Sequence, residues 1–103
     1  MLTKKMHQAL NDQIHHELES AYIYLSMAAY FETGNFPGFA HWMKMQFEEE
    51  MEHAFRFYNY IHSRGGQVKL LSIAEPPESF ESPLAAFETA LGHEQKITKD
   101  IHN

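Results

Sequence analysis

A glutamate and a histidine lie three residues apart near the middle of the chain, within the acidic stretch formed by residues 48–53. On a helix, Glu50 and His53 would share one face and lie one turn apart. A carboxylate and an imidazole that converge in this way are ligands that suit iron, manganese or zinc. Because the chain has no cysteine, any metal would be held by histidine nitrogen and carboxylate oxygen alone.

Three helices are predicted to position this pair. Thr3 and Ser82 are typical helix N-caps, while Pro37 and Pro83 suit the first turn of a helix. Apolar residues recur at steps of three and four along each segment, which is the helical period. The predicted helices span residues 3–32, 37–64 and 83–103.

The connections between these segments predict their arrangement. The turn at residues 33–36 is short, so the first two helices should be antiparallel. Residues 66–82 are too many for an ordinary bundle turn and predict a long crossover to a third helix parallel to the second. The expected fold is all-α: one domain over residues 1–103, an up-down helical bundle with only the first three helices, the third incomplete.

Each predicted helix places a glutamate on its apolar face. These glutamates are Glu17, Glu50 and Glu94, and His53 shares the face of Glu50. The other glutamates of residues 48–52 fall at the edge of this face or point to solvent. The apolar residues predicted on the same faces include Phe39, Met43, Phe57 and Tyr60 in the second helix and Leu84, Phe87 and Leu91 in the third.

The four polar residues on these faces favour a metal centre when they are considered together. A single buried glutamate is more often paired with lysine or arginine, and a single buried histidine is more often a hydrogen-bonded core residue. Burying an ionised carboxylate costs several kcal/mol unless it is paired or binds a metal. Several carboxylates on facing helices would repel one another without a cation, so the set predicts a metal site.

The charge of the chain excludes several classes of partner. A formal net charge of −6 argues against nucleic acid and against anionic membranes as partners.

No apolar run is long enough to span a bilayer. The first residues are polar and lack the apolar core of a signal peptide, so a cytoplasmic location is expected.

Several motifs together resemble a known family. One glutamate on the first helix, Glu-x-x-His on the second and one glutamate on the third resemble the ligand pattern of ferritin, in particular bacterial non-haem ferritin. The resemblance covers essentially the whole chain. It implies a ferritin-like bundle that oxidises Fe(II) and stores the product inside a homo-oligomeric shell of twenty-four subunits, built on dimer contacts. The most specific segments are residues 11–17, 22–28, 38–42, 48–54 and 93–94.

The resemblance also implies roles for individual residues. Glu17, Glu50 and His53 match the ligands of a first iron ion, and Glu50 would bridge to a second iron held also by Glu94. Glu49 matches a ligand of a third iron site found in bacterial ferritins.

Two further residues have a role in the family and a simpler alternative. Tyr24 matches a tyrosine beside the di-iron centre that hydrogen-bonds a ligand or gives up an electron, but it also suits an ordinary core aromatic. Met51 lies where bacterioferritin has its haem-ligating methionine, although a core or interface residue is the better interpretation.

One expected element of the family is missing from this chain. Ferritin subunits have a fourth long helix with further ligands, so either the protein continues past Asn103 or another chain supplies the missing wall. In the second case, two copies could bring their Glu and Glu-x-x-His sets together across a two-fold axis.

Other functions remain open from the sequence. The chain could be a non-catalytic metal-binding or assembly module, or a fragment with an incomplete site. A rubrerythrin-like peroxide reductase would normally need a cysteine cluster, which is absent. The buried glutamates could also be paired only with lysine or arginine. Whether oxygen or peroxide is the oxidant is left open as well.

Overall fold

The computed structural model describes the backbone of residues 2–102 and the side chains of residues 2–92. This part of the chain folds into α1 (Lys4–Thr33), α2 (Pro37–Ser63) and α3 (Pro83–His102), and it contains no strand. The predicted all-α class is therefore confirmed. Within the same residues, no helix combines the length and apolar character needed to cross a membrane.

Local signals set the helix ends. The Thr3 hydroxyl accepts a hydrogen bond from the Met6 backbone N–H at 3.1 Å, which satisfies one of the free donors at the start of α1. Ser82 caps α3 in the same way through the N–H of Ala85 at 3.1 Å. Asn35 adopts a φ of +64° between α1 and α2, a left-handed conformation that asparagine tolerates better than most residues. The short turn makes α1 and α2 antiparallel.

The long connection before α3 is fastened to α1 at both ends. Near its start, the buried Asn11 side chain donates to the Gln67 carbonyl at 3.2 Å and accepts from the Lys69 N–H at 2.7 Å. Near its end, the Phe80 ring packs edge-on against Tyr30 at 5.3 Å between ring centroids. Asn11 and Tyr30 lie toward opposite ends of α1, so the connection crosses the length of the hairpin. The helix α3 therefore starts at the same end of the hairpin as α2.

The core lies where the start of α3 meets the α1–α2 hairpin. Tyrosine, methionine and phenylalanine side chains of α1 and α2 enclose the small side chains of α3, which lets α3 approach α1 closely. The buried cluster consists of Tyr24, Met27, Ala28, Phe31, Ala40, Met43, Ala86 and Ala90.

The predicted apolar face of α3 is correct at Phe87, which packs against the core cluster, and wrong at two other described positions. Leu84 and Leu91 are 68% and 60% exposed, whereas Ala86 and Ala90 are buried. The apolar residues of α3 form a broad stripe along the helix. Where two helices approach most closely, the small residues of such a stripe are buried at the contact rather than the bulky ones.

The predicted face of α2 is correct at some positions and displaced at others. Met43 is buried as predicted, but Phe39 and Tyr60 are exposed. In each case the next residue along the helix is buried instead: Ala40 after Phe39, and Ile61 after Tyr60. The large aromatic rings extend along the edge of the contact, while their smaller or branched neighbours occupy its centre.

Candidate metal centre

Glu17 and Glu50 face each other near the middle of the antiparallel hairpin. Their residues are only 1% and 3% exposed, although both carry carboxylates. His53 lies one turn after Glu50 on α2, and its side chain is 34% exposed. Each of the three residues offers one ligand atom, and these atoms all lie within 4.8 Å of one another. The hairpin therefore brings together three residues that the sequence predicted as metal ligands.

The distances decide what holds this group together. His53 Nδ1 lies 3.4 Å from Glu17 Oε2 and 3.7 Å from Glu50 Oε2. Both separations exceed the usual N–H···O range of about 2.7–3.2 Å. A protonated His53 would also bring one positive charge to two carboxylates, which leaves the group negative. The charge balance therefore favours a further cation.

The two oxygens of Glu17 have different surroundings. Oε1 accepts a hydrogen bond from the Gln13 side-chain amide at 3.0 Å. Oε2 is buried and has no hydrogen-bond partner in the part of the chain with described side chains. A buried carboxylate oxygen without a partner is costly, and metal coordination is one way to compensate for it. Glu17 therefore has an oxygen that is available for a cation.

The donor set fits a first-row divalent metal. Metal–oxygen and metal–nitrogen bonds of about 2.0–2.2 Å place the ligand atoms around one ion about 3–4 Å apart. The two His53 distances fall in this range. Two carboxylates and one imidazole suit iron, manganese or zinc, so iron is compatible with the residues present.

The alternative of pairing with basic residues is not found for Glu17. In the region with described side chains, its ion-pair partner is His53, and no lysine or arginine lies within ion-pair distance. Lys44 instead pairs with Glu32 on the exposed side of the hairpin. Among the described residues, no neighbouring lysine or arginine therefore explains the burial of the Glu17 carboxylate.

The other predicted site residues lie in different surroundings. Tyr24 is fully buried two turns after Glu17, within the apolar core. Glu49 is exposed and lines an open hollow with Met45, Gln46, Glu48 and Glu52. Glu94 lies outside the described side chains. The half-buried Met51 lines a separate, mainly apolar hollow with Ile14, Leu18, Ala54, Phe55, Tyr58 and Leu70.

Gln13 was missed as a functional candidate. It precedes Glu17 by four residues, and this spacing places an amide beside a carboxylate on a helix. The signal was present in the sequence, but the same spacing is common on solvent-exposed helix faces. Only the burial of Glu17 distinguishes this pair from a surface pair.

Comparison with known proteins agrees with this geometry. The Ferritin-like domain family matches residues 7–103. A bacterial non-heme ferritin of Bacteroides fragilis (strain 638R) is 44% identical over 99 residues, which are 96% of this chain and 62% of that protein. A bacterial non-heme ferritin of Staphylococcus aureus (strain USA300) is 38% identical over 103 residues, 100% of this chain and 62% of that protein.

A solved structure supports the same relationship. An open pore ferritin from the hyperthermophilic archaeon Archaeoglobus fulgidus is 48% identical and superposes with a TM-score of 0.94, covering 99% of this chain and 63% of that one. The chain thus spans about 62% of the length of the curated relatives named above. On both sequence and structure, it belongs to the ferritin-like domain family.

Proposed function

We propose that this protein serves iron storage and oxidises Fe(II) at the centre formed by Glu17, Glu50 and His53. The observation that carries the proposal is the convergence of two buried carboxylates and one imidazole within 4.8 Å. Membership of the ferritin-like domain family supports iron as the metal among those that the donor set accepts.

Iron is the substrate in this proposal, and the residues act by binding it. The carboxylates of Glu17 and Glu50 supply negative charge in a buried site, where charge interactions are strong. Hard oxygen ligands stabilise Fe(III) more than Fe(II), so binding favours the loss of one electron from each ion. Oxygen or peroxide accepts these electrons. No side chain acts as a nucleophile.

The proposal extends to residues and partners beyond the three-residue group. Glu94 would add a ligand for a second iron and complete a di-iron centre, and Glu49 would bind iron at an outer position. Storage of the oxidised product requires a shell of copies of the protein, twenty-four if the ferritin assembly applies. The proposed location is the cytoplasm.

Aerobic oxidation of added Fe(II) tests this function. We expect the protein to raise the oxidation rate above that of buffer, measured by near-ultraviolet absorbance of Fe(III) and by oxygen consumption. His53→Ala should reduce the rate to that of buffer because it removes the only imidazole of the group. His41→Ala is the matched control, since His41 is an exposed histidine of the same helix.

The outcomes of this experiment separate the candidate functions. Binding of Fe(II) with oxidation at the buffer rate would identify the alternative, a non-catalytic metal-binding or assembly module. If neither binding nor oxidation depends on Glu50 or His53, the metal centre itself is wrong.

A second prediction concerns Tyr24 as an electron donor beside the centre. Tyr24→Phe should slow Fe(II) oxidation severalfold in a single turnover, because it removes the phenolic hydroxyl while keeping the ring in the core. Tyr30→Phe is the control, because Tyr30 is a partly buried tyrosine of the same helix. Equal rates for the two variants would make Tyr24 an ordinary core aromatic.

A further inference from the structure

Within residues 2–92, the Glu17 carboxylate accepts a hydrogen bond at one of its two oxygens. Gln13 lies one turn earlier on α1, and its Nε2 donates to Glu17 Oε1 at 3.0 Å. The opposite oxygen, Oε2, faces His53 Nδ1 at 3.4 Å and has no hydrogen-bond partner among the described side chains. The hydrogen bond therefore fixes which oxygen points into the group of ligand atoms.

We propose that Gln13 is a positioning residue for the metal centre. Its amide orients the Glu17 carboxylate so that Oε2 is presented to the metal and Oε1 is held away from it. This inference rests on the proposed function, since it assumes that Glu17 binds a metal ion.

The chemistry of an amide suits this task. A lysine or arginine at the same place would also hold the carboxylate, but its positive charge would compete with the cation. The neutral amide of Gln13 donates a hydrogen bond without reducing the negative charge of the site. Groups that hold a metal ligand in orientation contribute about 10–100-fold to metal affinity.

The position of Gln13 on the same helix as Glu17 makes the arrangement rigid. Residues four apart on a helix are neighbours on one face, and the backbone between them is fixed by the helical hydrogen bonds. A hydrogen bond between them orients the carboxylate without depending on a flexible loop. Gln13 is also partly buried, so water competes less for its amide than on an open surface.

The same helix contains a matched control pair. Gln8 Nε2 donates to Asp12 Oδ1 at 3.4 Å, again over four residues, and both side chains are exposed. Replacement of Gln8 makes the same chemical change on α1 as replacement of Gln13. It does so away from the three-residue group.

Binding of Co(II) to the whole chain tests the inference without relying on activity. We expect Gln13→Leu to weaken Co(II) binding by about 10–100-fold in calorimetry. The visible absorption of the saturated protein should also change, because the Glu17 carboxylate is then free to bind through different oxygens. Gln8→Leu should match the unmodified chain in affinity and in spectrum. Gln13→Met, which keeps the length of the side chain without the donor, should behave as Gln13→Leu does.

The possible results can be told apart. Failure of the unmodified chain to bind Co(II), or binding that survives Glu17→Gln, overturns the proposed function together with this inference. Binding that depends on Glu17 but is unchanged in Gln13→Met, in affinity and in spectrum, overturns the role of Gln13 alone. A loss confined to Gln13→Leu also overturns it, because shape rather than the donor would then matter.

Discussion

Glu17→Gln is expected to stabilise the metal-free protein while removing most of its metal affinity. The substitution removes a buried charge, and the new amide can still accept a hydrogen bond from Gln13 through its oxygen. Its N–H₂ replaces Oε2, which has no hydrogen-bond partner within the described side chains, and can donate toward Glu50 or His53. Relief of an unsatisfied buried acceptor is worth about 1–3 kcal/mol in the free energy of unfolding. Loss of a ligand should weaken metal binding by more than about 100-fold, since even outer partners contribute about 10–100-fold.

Urea unfolding with and without Zn(II) measures both effects. A metal that binds the folded state at a concentration of 100 times its Kd adds about 2.7 kcal/mol of stability, and this gain should disappear in Glu17→Gln. Glu52→Gln is the control, because Glu52 is an exposed glutamate whose replacement should change neither quantity. A less stable metal-free Glu17→Gln protein would show that the carboxylate stabilises the fold and would weaken the case for a metal centre.

Phe31→Ala is expected to cost about 3–5 kcal/mol of stability, the usual range for truncating a buried phenylalanine. Phe31 is fully buried in the core cluster. Its ring contacts aromatic rings of all three helices and of the α1–α2 turn, so the variant should also loosen α3 from the hairpin. The ring centroids lie 5.3 to 6.3 Å from those of Tyr30, Phe36, Phe39 and Phe87.

Chemical unfolding and near-ultraviolet circular dichroism measure this loss. Since the stability of small domains is about 5–15 kcal/mol in total, the variant should unfold at a much lower urea concentration. Phe55→Ala is the matched control, because Phe55 on α2 is 53% exposed and should cost far less. Similar losses for the two variants would show that the aromatic cluster around Phe31 does not anchor the fold.

The sequence predicted the three-residue group more accurately than it predicted the apolar packing. A charged residue within the apolar stripe of a helix is easily recognised, and its angular position around the helix axis is known to within a few tens of degrees. For Glu17 and Glu50, that precision sufficed, because a short turn forces the two helices to be antiparallel and brings their centres together. The glutamates at positions 48, 49 and 52 are exposed. Their angular positions around α2 differ from that of Glu50, so they lie outside the three-residue group.

The apolar faces could not be predicted with the same accuracy. Several neighbouring residues of a broad stripe are apolar, and the contact itself decides which of them are buried. In α3, Ala86 and Ala90 lie in the core while Leu84 and Leu91 remain exposed, because small side chains occupy the closest approach between helices. The distance between the helices at this contact cannot be predicted from the composition or from the period of apolar residues.

Glu50 and His53, which were predicted as metal ligands from their spacing, show how far prediction from the sequence extends. By itself, the sequence determined three helices, their order, the antiparallel arrangement of the first two, and the approach of Glu17 and Glu50 between them, because these depend on local periodicity and on the length of the connection. Only the tertiary structure decided that Glu17 Oε2 is buried without a hydrogen bond from residues 2–92, that His53 Nδ1 lies near both carboxylates and that Gln13 holds the other oxygen. These properties depend on side-chain distances across the helix contact, which no local pattern specifies.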